Sequence, residues 1–338
     1  MLKRMCWILG GSVAVAVGLV GSAMADGDVN IYSARHYQSD EKLYAEFEDR
    51  TGIEVNRLQG GSDALIQRIK SEGRNTPADI LITVDAGRLW RAEKTDILDS
   101  VDSPVLKARL PANLRHPEGK WFGFSSRARV ILYDKSRYET PPAKTYEALA
   151  DSKLEDAVCI RSSANVYNQS LLASLVAHHG EAAAEEWAAG IVENFAREPE
   201  GGDTDQIMGV AAGECGVAVA NHYYWVRLLE NNPDLSEKVG LVFPNQAGRG
   251  THVNVSGAGR VENGPNPDNA ARFLEFLASE FAQRYFADGN NEYPAAPDVA
   301  PNTKLKKLGE FKIDNINVAT FGQKQAQAQK IFDRVGWK

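Results

Sequence analysis

Three times between residues 29 and 90 an apolar, β-prone run gives way to a helical spacing, and this alternation restricts the fold more than any other feature of the chain. Residues 29–34 are apolar and β-prone, and residues 40–50 carry Leu43, Tyr44 and Phe47 at helical spacing. Residues 54–58 resemble a second strand, and Ser62 stands as the cap of a helix carrying Leu65, Ile66 and Ile69. Residues 78–84 read as a buried strand, followed by a helix through Leu89 and Trp90. Repeats of this kind build a mostly parallel, doubly wound α/β sheet, in which ligands bind beyond the carboxyl ends of the strands.

After Pro141-Pro142 the pattern returns with different content. A strand near residues 158–161 leads to Tyr167 and a helix through Leu171, Leu172 and Leu175. A helix around residues 207–212 precedes a strand over 216–220, which leads to Tyr223-Tyr224. The extended stretches 122–133 and 251–261 flank this second unit and read as crossovers joining two discontinuous domains. A late helix over 267–286 should return to the first domain, and residues 321–335 should pack on the second. The division expected is residues 26–125 with 258–300 in an N-terminal lobe, and 126–257 with 301–338 in a C-terminal lobe. A chain of 338 residues less a 25-residue leader exceeds one typical core, which agrees with two domains.

Residues 1–25 read as that leader, a signal peptide: Lys3 and Arg4, an apolar stretch over 7–20, then the small-x-small cleavage site Ala23-Met24-Ala25. The stretch falls short of the roughly 20 residues needed to span a bilayer. Cys6 lies too early in it to be a lipid-attachment point. The expectation is a soluble protein exported to the periplasm. Losing Lys3 and Arg4 makes the formal net charge of −7 more negative still, which argues against nucleic acid as a partner. Cys159 and Cys215 remain, without the spacing of a zinc site. Each stands eight positions before a tyrosine, Tyr167 or Tyr223, so a disulfide between two strands of matching depth is plausible in an oxidising compartment. The alternative is two buried free thiols.

The chemistry concentrates in three distant segments, His36-Tyr37, Tyr167 and Tyr223-Tyr224, each between a strand-like and a helix-like stretch. A single tyrosine at a strand end is usually packing or an interface hydroxyl. Adjacent strand residues face opposite ways, so Tyr223 and Tyr224 converge only where the strand has ended, and the helix-prone Trp225-Val226-Arg227-Leu228-Leu229 supplies that break. Phenolate is a hard anionic oxygen ligand, and ferric iron is the leading candidate among ions that reward several of them. His178-His179 sit at a helix end where positive charge is favoured, whereas His222 adjoins the tyrosine pair.

These residues also carry a resemblance. Tyr32-Ser33-Ala34-Arg35-His36-Tyr37, Pro77-Ala78-Asp79-Ile80-Leu81, Trp121-Phe122-Gly123-Phe124, Arg127-Ala128-Arg129-Val130, Arg161-Ser162-Ser163 with Tyr167-Asn168-Gln169-Ser170, Tyr223-Tyr224 and residues 248–257 are similar to the periplasmic ferric-iron-binding proteins of ABC importers, of the Fut/Fbp type. The resemblance covers essentially the whole mature chain. It implies a type II periplasmic-binding-protein fold with two lobes, each a doubly wound mixed sheet, joined by two crossover strands. It further implies closure on Fe³⁺ and delivery to an inner-membrane ABC permease by a monomeric protein. At the matching positions the ligands are His36, Tyr37, Tyr167, Tyr223 and Tyr224. His222 departs from the pattern, since relatives often carry a small polar residue there, so His36 and His222 both stand as candidates for the histidine ligand.

Four phenolates and a neutral imidazole exceed the charge of Fe³⁺ by one, so no carbonate or phosphate is needed to neutralise the ion. Free tyrosine has a pKa of about 10, and only a strongly polarising cation holds four of them ionised near neutral pH. Arg127 and Arg227 are the basic residues expected to offset the excess negative charge, or else to form ordinary salt bridges. An enzyme is disfavoured: G-x-S-x-G, H-E-x-x-H and a phosphate-binding glycine loop are all missing from the sequence. The competing reading is a binding protein of the same fold for an organic or oxyanion solute, with the tyrosines as a stacking and hydrogen-bonding cage.

Overall fold

The computed structural model describes residues 27–35 and 40–338. The signal-peptide reading and the candidate ligands His36 and Tyr37 fall outside the described residues.

The N-terminal alternation is present: β1 (Asp28–Ser33), α1 (Asp40–Thr51), β2 (Glu54–Gln59), α2 (Ser62–Glu72), β3 (Ile80–Val84) and α3 (Ala86–Lys94). Strands β2, β1 and β3 pair in parallel, as βαβ crossovers require. Ile80, Leu81 and Ile82 make β3 a buried strand, whereas β2 forms the edge and exposes Asn56 and Arg57. Ser62 does not cap α2. Gly61 holds the cap position without a side-chain bond, and the Ser62 hydroxyl instead accepts from the Thr83 hydroxyl at 2.7 Å, tying α2 to β3.

Short β4 (Leu98–Asp99) and α4 (Pro104–Arg109) lead into β5 (Phe122–Asp134), the longest strand. The second half follows as β6 (Val158–Cys159), α5 (Val166–His179), α6 (Glu181–Glu193), α7 (Asp203–Ala211), β7 (Val217–Asn221), α8 (His222–Asn231), α9 (Leu235–Lys238) and β8 (Val239–Val242). The chain then returns through β9 (Val253–Val261), α10 (Pro267–Leu277), α11 (Glu280–Asn290), β10 (Tyr293–Pro294), α12 (Thr303–Lys306) and α13 (Ala319–Val335). The single late helix expected over 267–286 is two helices, because the Ser279 hydroxyl accepts from the Ala282 amide at 3.3 Å and starts a new helix.

The strand order is β2-β1-β3-β9-β5-β7-β6, and the sheet is mixed rather than mostly parallel because β9 runs antiparallel to both β3 and β5. Strand β5 is shared between the two halves: Phe122–Ala128 pair with β9, and Arg129–Tyr133 pair with β7. Strand β9 pairs with β3, β4 and β5, so the second crossover is made by the approach to it, where the Arg129 amide donates to the His252 carbonyl at 3.0 Å. The buried Tyr146 hydroxyl pins that junction, donating to the Arg129 carbonyl at 2.6 Å and accepting from the His252 amide at 3.1 Å. Substituting Tyr146→Phe should therefore leave two buried backbone groups short of a partner and cost about 1–3 kcal/mol of stability in urea unfolding.

Helix α13 lies along α5 and α6, as expected, and also against α3 in the other half. Glycine at 322 permits this close approach, since a β-carbon there would overlap Trp90. No helix among the described residues is long and apolar enough to cross a membrane.

Candidate metal centre

Tyr167 is the second residue of α5, and its backbone is set by Asn165, whose side-chain oxygen accepts from the amides of Tyr167 at 3.1 Å and Asn168 at 3.3 Å. Tyr223 and Tyr224 are the second and third residues of α8, which begins directly after β7 ends. The change from strand to helix puts both rings on one side, with centroids 4.3 Å apart. Tyr223 is buried and Tyr224 half-buried.

Arginines surround these rings. The Arg127 guanidinium stands 5.8 Å from the Tyr167 ring centre and 6.0 Å from that of Tyr223, linking the two segments. Arg227 lies 5.0 Å from the Tyr223 ring. Arg129 and Arg161 add two more cations over Tyr167, at 5.8 and 5.7 Å. The sequence points to Arg127 and Arg227 but not to this second pair. A signal existed for Arg129, because residues two apart on a strand share a face, so Arg127 and Arg129 project together from β5.

Carboxylates hold the arginines in place. Arg129 pairs with Asp203 at 2.7 Å, and Arg161 stands 3.5 Å from the same carboxylate. Arg127 lies 3.8 Å from Glu292, which also binds Arg35 at 3.2 Å and accepts from the Ser125 and Ser256 hydroxyls. Burial alone would raise the Glu292 pKa, but Arg35 and Arg127 hold the carboxyl down to about 2. Arg35 is paired in turn with Asp40 at 2.9 Å, so the two residues flanking positions 36–39 are tied together beside this network.

The structure decides the part played by His222. Its Nδ1 accepts from the Ala128 amide at 3.1 Å, and its Nε2 faces the Asn291 carbonyl at 2.9 Å and donates to it. Both ring nitrogens are thereby used by backbone groups, and neither lone pair is available to a metal. His222 locks α8 to β5 instead. Among the described residues no three His, Cys, Asp or Glu side chains group as a metal site. Cys159 and Cys215 form a disulfide with Cα atoms 5.8 Å apart. The two cysteines do not sit at matching depth, since Cys159 lies opposite Ala218 in the β6–β7 register and Cys215 precedes β7.

Two histidines are buried as neutral rings. Burial, then Arg129 and Arg249, push His252 down to about 3, and burial pushes His222 down to about 4. Both values lie below the unfolded value of about 6.5, so the unfolded chain binds the extra protons and stability is lost as pH falls from that value through the folded pKa values. The unfolding free energy from urea titration should decline over that window with a slope of about 1.4 kcal/mol per pH unit for each ring. Substituting His252→Gln should flatten the decline.

The match to known proteins extends over most of the chain. The family model described as bacterial extracellular solute-binding protein matches residues 75–314. Iron uptake protein A1 of Synechocystis sp. is 50% identical over 315 residues, covering 92% of this chain and 88% of that protein. A solved structure of the Trichodesmium protein IdiA (FutA), in complex with iron and citrate, has 52% identity and a TM-score of 0.89, covering 92% of this chain and 100% of that one. The ferric binding protein from Campylobacter jejuni has 40% identity and a TM-score of 0.84, covering 92% of this chain and 100% of that one.

Proposed function

Because the chain belongs to the family of bacterial extracellular solute-binding proteins, with the two-lobed type II fold of its ferric-binding members, we propose that it binds Fe³⁺ outside the cytoplasmic membrane and delivers it for uptake. The observation that carries the reading is the meeting of phenol rings from α5 and α8 around the shared Arg127 guanidinium, in a chain whose relatives are named for iron uptake. The ligand set is His36, Tyr37, Tyr167, Tyr223 and Tyr224. Arg127 and Arg227 offset the negative charge in excess over Fe³⁺, and no synergistic anion is required. With both nitrogens of His222 engaged, His36 is the favoured histidine.

The protein acts as a monomer that carries its cargo to an inner-membrane ABC permease and catalyses no reaction. It reaches the periplasm by cleavage of a signal peptide over residues 1–25. The lobes comprise residues 26–125 with 258–300 and residues 126–257 with 301–338. His36-Tyr37 belong to the first lobe and the other three tyrosines to the second, so the full ligand set forms only when the lobes meet.

The test is a visible spectrum with metal analysis of protein purified without chelator. A red or orange phenolate-to-iron charge-transfer band with one iron per chain is expected, and colourless, iron-free protein that takes up no added Fe³⁺ would refute the reading. Closure draws its free energy from ligand contacts that the open form lacks. Solution scattering should therefore give a smaller radius of gyration with Fe³⁺ than without. Reductant with a ferrous chelator should reverse the change, because Fe²⁺ neutralises the phenolates less. Identical profiles would reject closure.

A further inference from the structure

We propose that the buried Arg129–Asp203 pair is a positioning device that sets the distance between the turn carrying Tyr167 and the turn carrying Tyr223-Tyr224. The inference rests on the ferric-binding reading above. Arg129 is 1% exposed and Asp203 is fully buried, so both form their contacts away from water. One Asp203 oxygen accepts from Arg129 Nη1 at 2.7 Å and from the backbone amide of Asn221 at 2.7 Å. Asn221 ends β7 immediately before His222-Tyr223-Tyr224, and its own side chain makes no capping bond to α8. The other arm of the guanidinium, Nη2, donates to Asn168 Oδ1 at 2.9 Å. Asn168 follows Tyr167, and its Nδ2 donates to the carbonyls of Arg161 at 2.7 Å and Ser162 at 3.2 Å, closing the turn that presents the tyrosine.

A single planar fork on β5 is thus bound at one arm to the start of α5 and, through Asp203 on α7, to the start of α8. These contacts fix main chain beside the tyrosines rather than the phenol oxygens. Metal ligands must be held within about 0.5 Å of their working positions, and rigid directional hydrogen bonds from a guanidinium can do that where apolar packing cannot. Stability does not explain the pair, since apolar residues of similar volume often serve as well in place of a buried ion pair.

Two variants separate positioning from stability. The double substitution Arg129→Met with Asp203→Leu keeps the volume and removes the fork, and Arg129→Lys keeps the charge but offers one ammonium in place of two arms. Both should release Fe³⁺ to excess chelator at least ~10-fold faster than wild type, the range seen for outer partners of metal ligands. The charge-transfer band should shift in position, while the double variant stays folded but melts somewhat lower, because the Asn221 amide and Asn168 Oδ1 each lose a partner. A folded variant with wild-type band and release rate would overturn the proposal. If the double variant fails to fold, the same two readings on Arg129→Lys decide it. Backbone-amide exchange on the iron-free Arg129→Lys protein gives a readout independent of cargo. Joint loss of protection around residues 168 and 221 supports the coupling, and loss at one or neither rejects it. A wild-type protein that binds no iron would refute the functional reading and leave the coupling to that exchange measurement.

Discussion

Substituting Tyr167→Phe together with Tyr223→Phe is expected to remove most of the visible absorption of the iron-loaded protein and to weaken ferric binding by at least ~100-fold. Even outer partners of metal ligands are worth roughly 10–100-fold, so loss of two anionic ligands should exceed that. The rings themselves should stay in place. Tyr223 is buried beside His222 and Tyr224, and phenylalanine fills the same space. The circular dichroism of the iron-free variant should therefore match that of the wild type. The cations would then face neutral rings: Arg127 between both, Arg129 and Arg161 over position 167, Arg227 over position 223. Each single variant should retain part of the band, shifted in position because the remaining phenolates share the metal charge. A double variant with the wild-type spectrum and affinity in competition with a chelator would remove these tyrosines from the ligand set.

The second large effect concerns Cys159 and Cys215. The bond closes a loop with a sequence separation of 56, for which loss of unfolded-state entropy stabilises the folded chain by about 4 kcal/mol. Replacing both residues with alanine should lower the urea unfolding free energy by that amount. Reductant should do the same to the wild type and nothing to the variant. Because the bond joins the end of β6 to the segment leading into β7, and the chain runs on from these strands toward Tyr167 and Tyr223, the variant should also release iron faster. A change below about 1 kcal/mol would show that the cross-link does not constrain the unfolded chain as the entropy argument requires. Mass spectrometry after alkylation without reductant gives the direct check, and labelling of both thiols in protein purified without reductant would contradict the bond.

The features legible in the chain were those that depend on near neighbours. Apolar runs alternating with helical spacing located β1, β3, α1 and α3, because side-chain periods of two and 3.6 residues are properties of a segment by itself. Tyrosines where a strand gives way to a helix were equally visible, since the break after Asn221 is written in the residues on either side of it. Ser279 is a helix-start signal of the same local kind, and it separates α10 from α11.

Other features required the tertiary structure. His222 looked like a possible ligand by its position beside the tyrosines, and only the arrival of the Ala128 amide and the Asn291 carbonyl at its two nitrogens removes it. Arg161 reaches Tyr167 from its own flank, while Arg129 reaches the same ring from β5, a convergence decided by strand order rather than by spacing. The disulfide was expected from equal distances along the chain, yet the β6–β7 register sets the two cysteines at different depths. The physical reason is common to all three. Periodicity and capping are settled within a few residues, whereas a buried polar or charged group must find its partner wherever the folded chain brings one. For Arg35 and Glu292 that partner lies 257 positions away, a separation that no local pattern encodes.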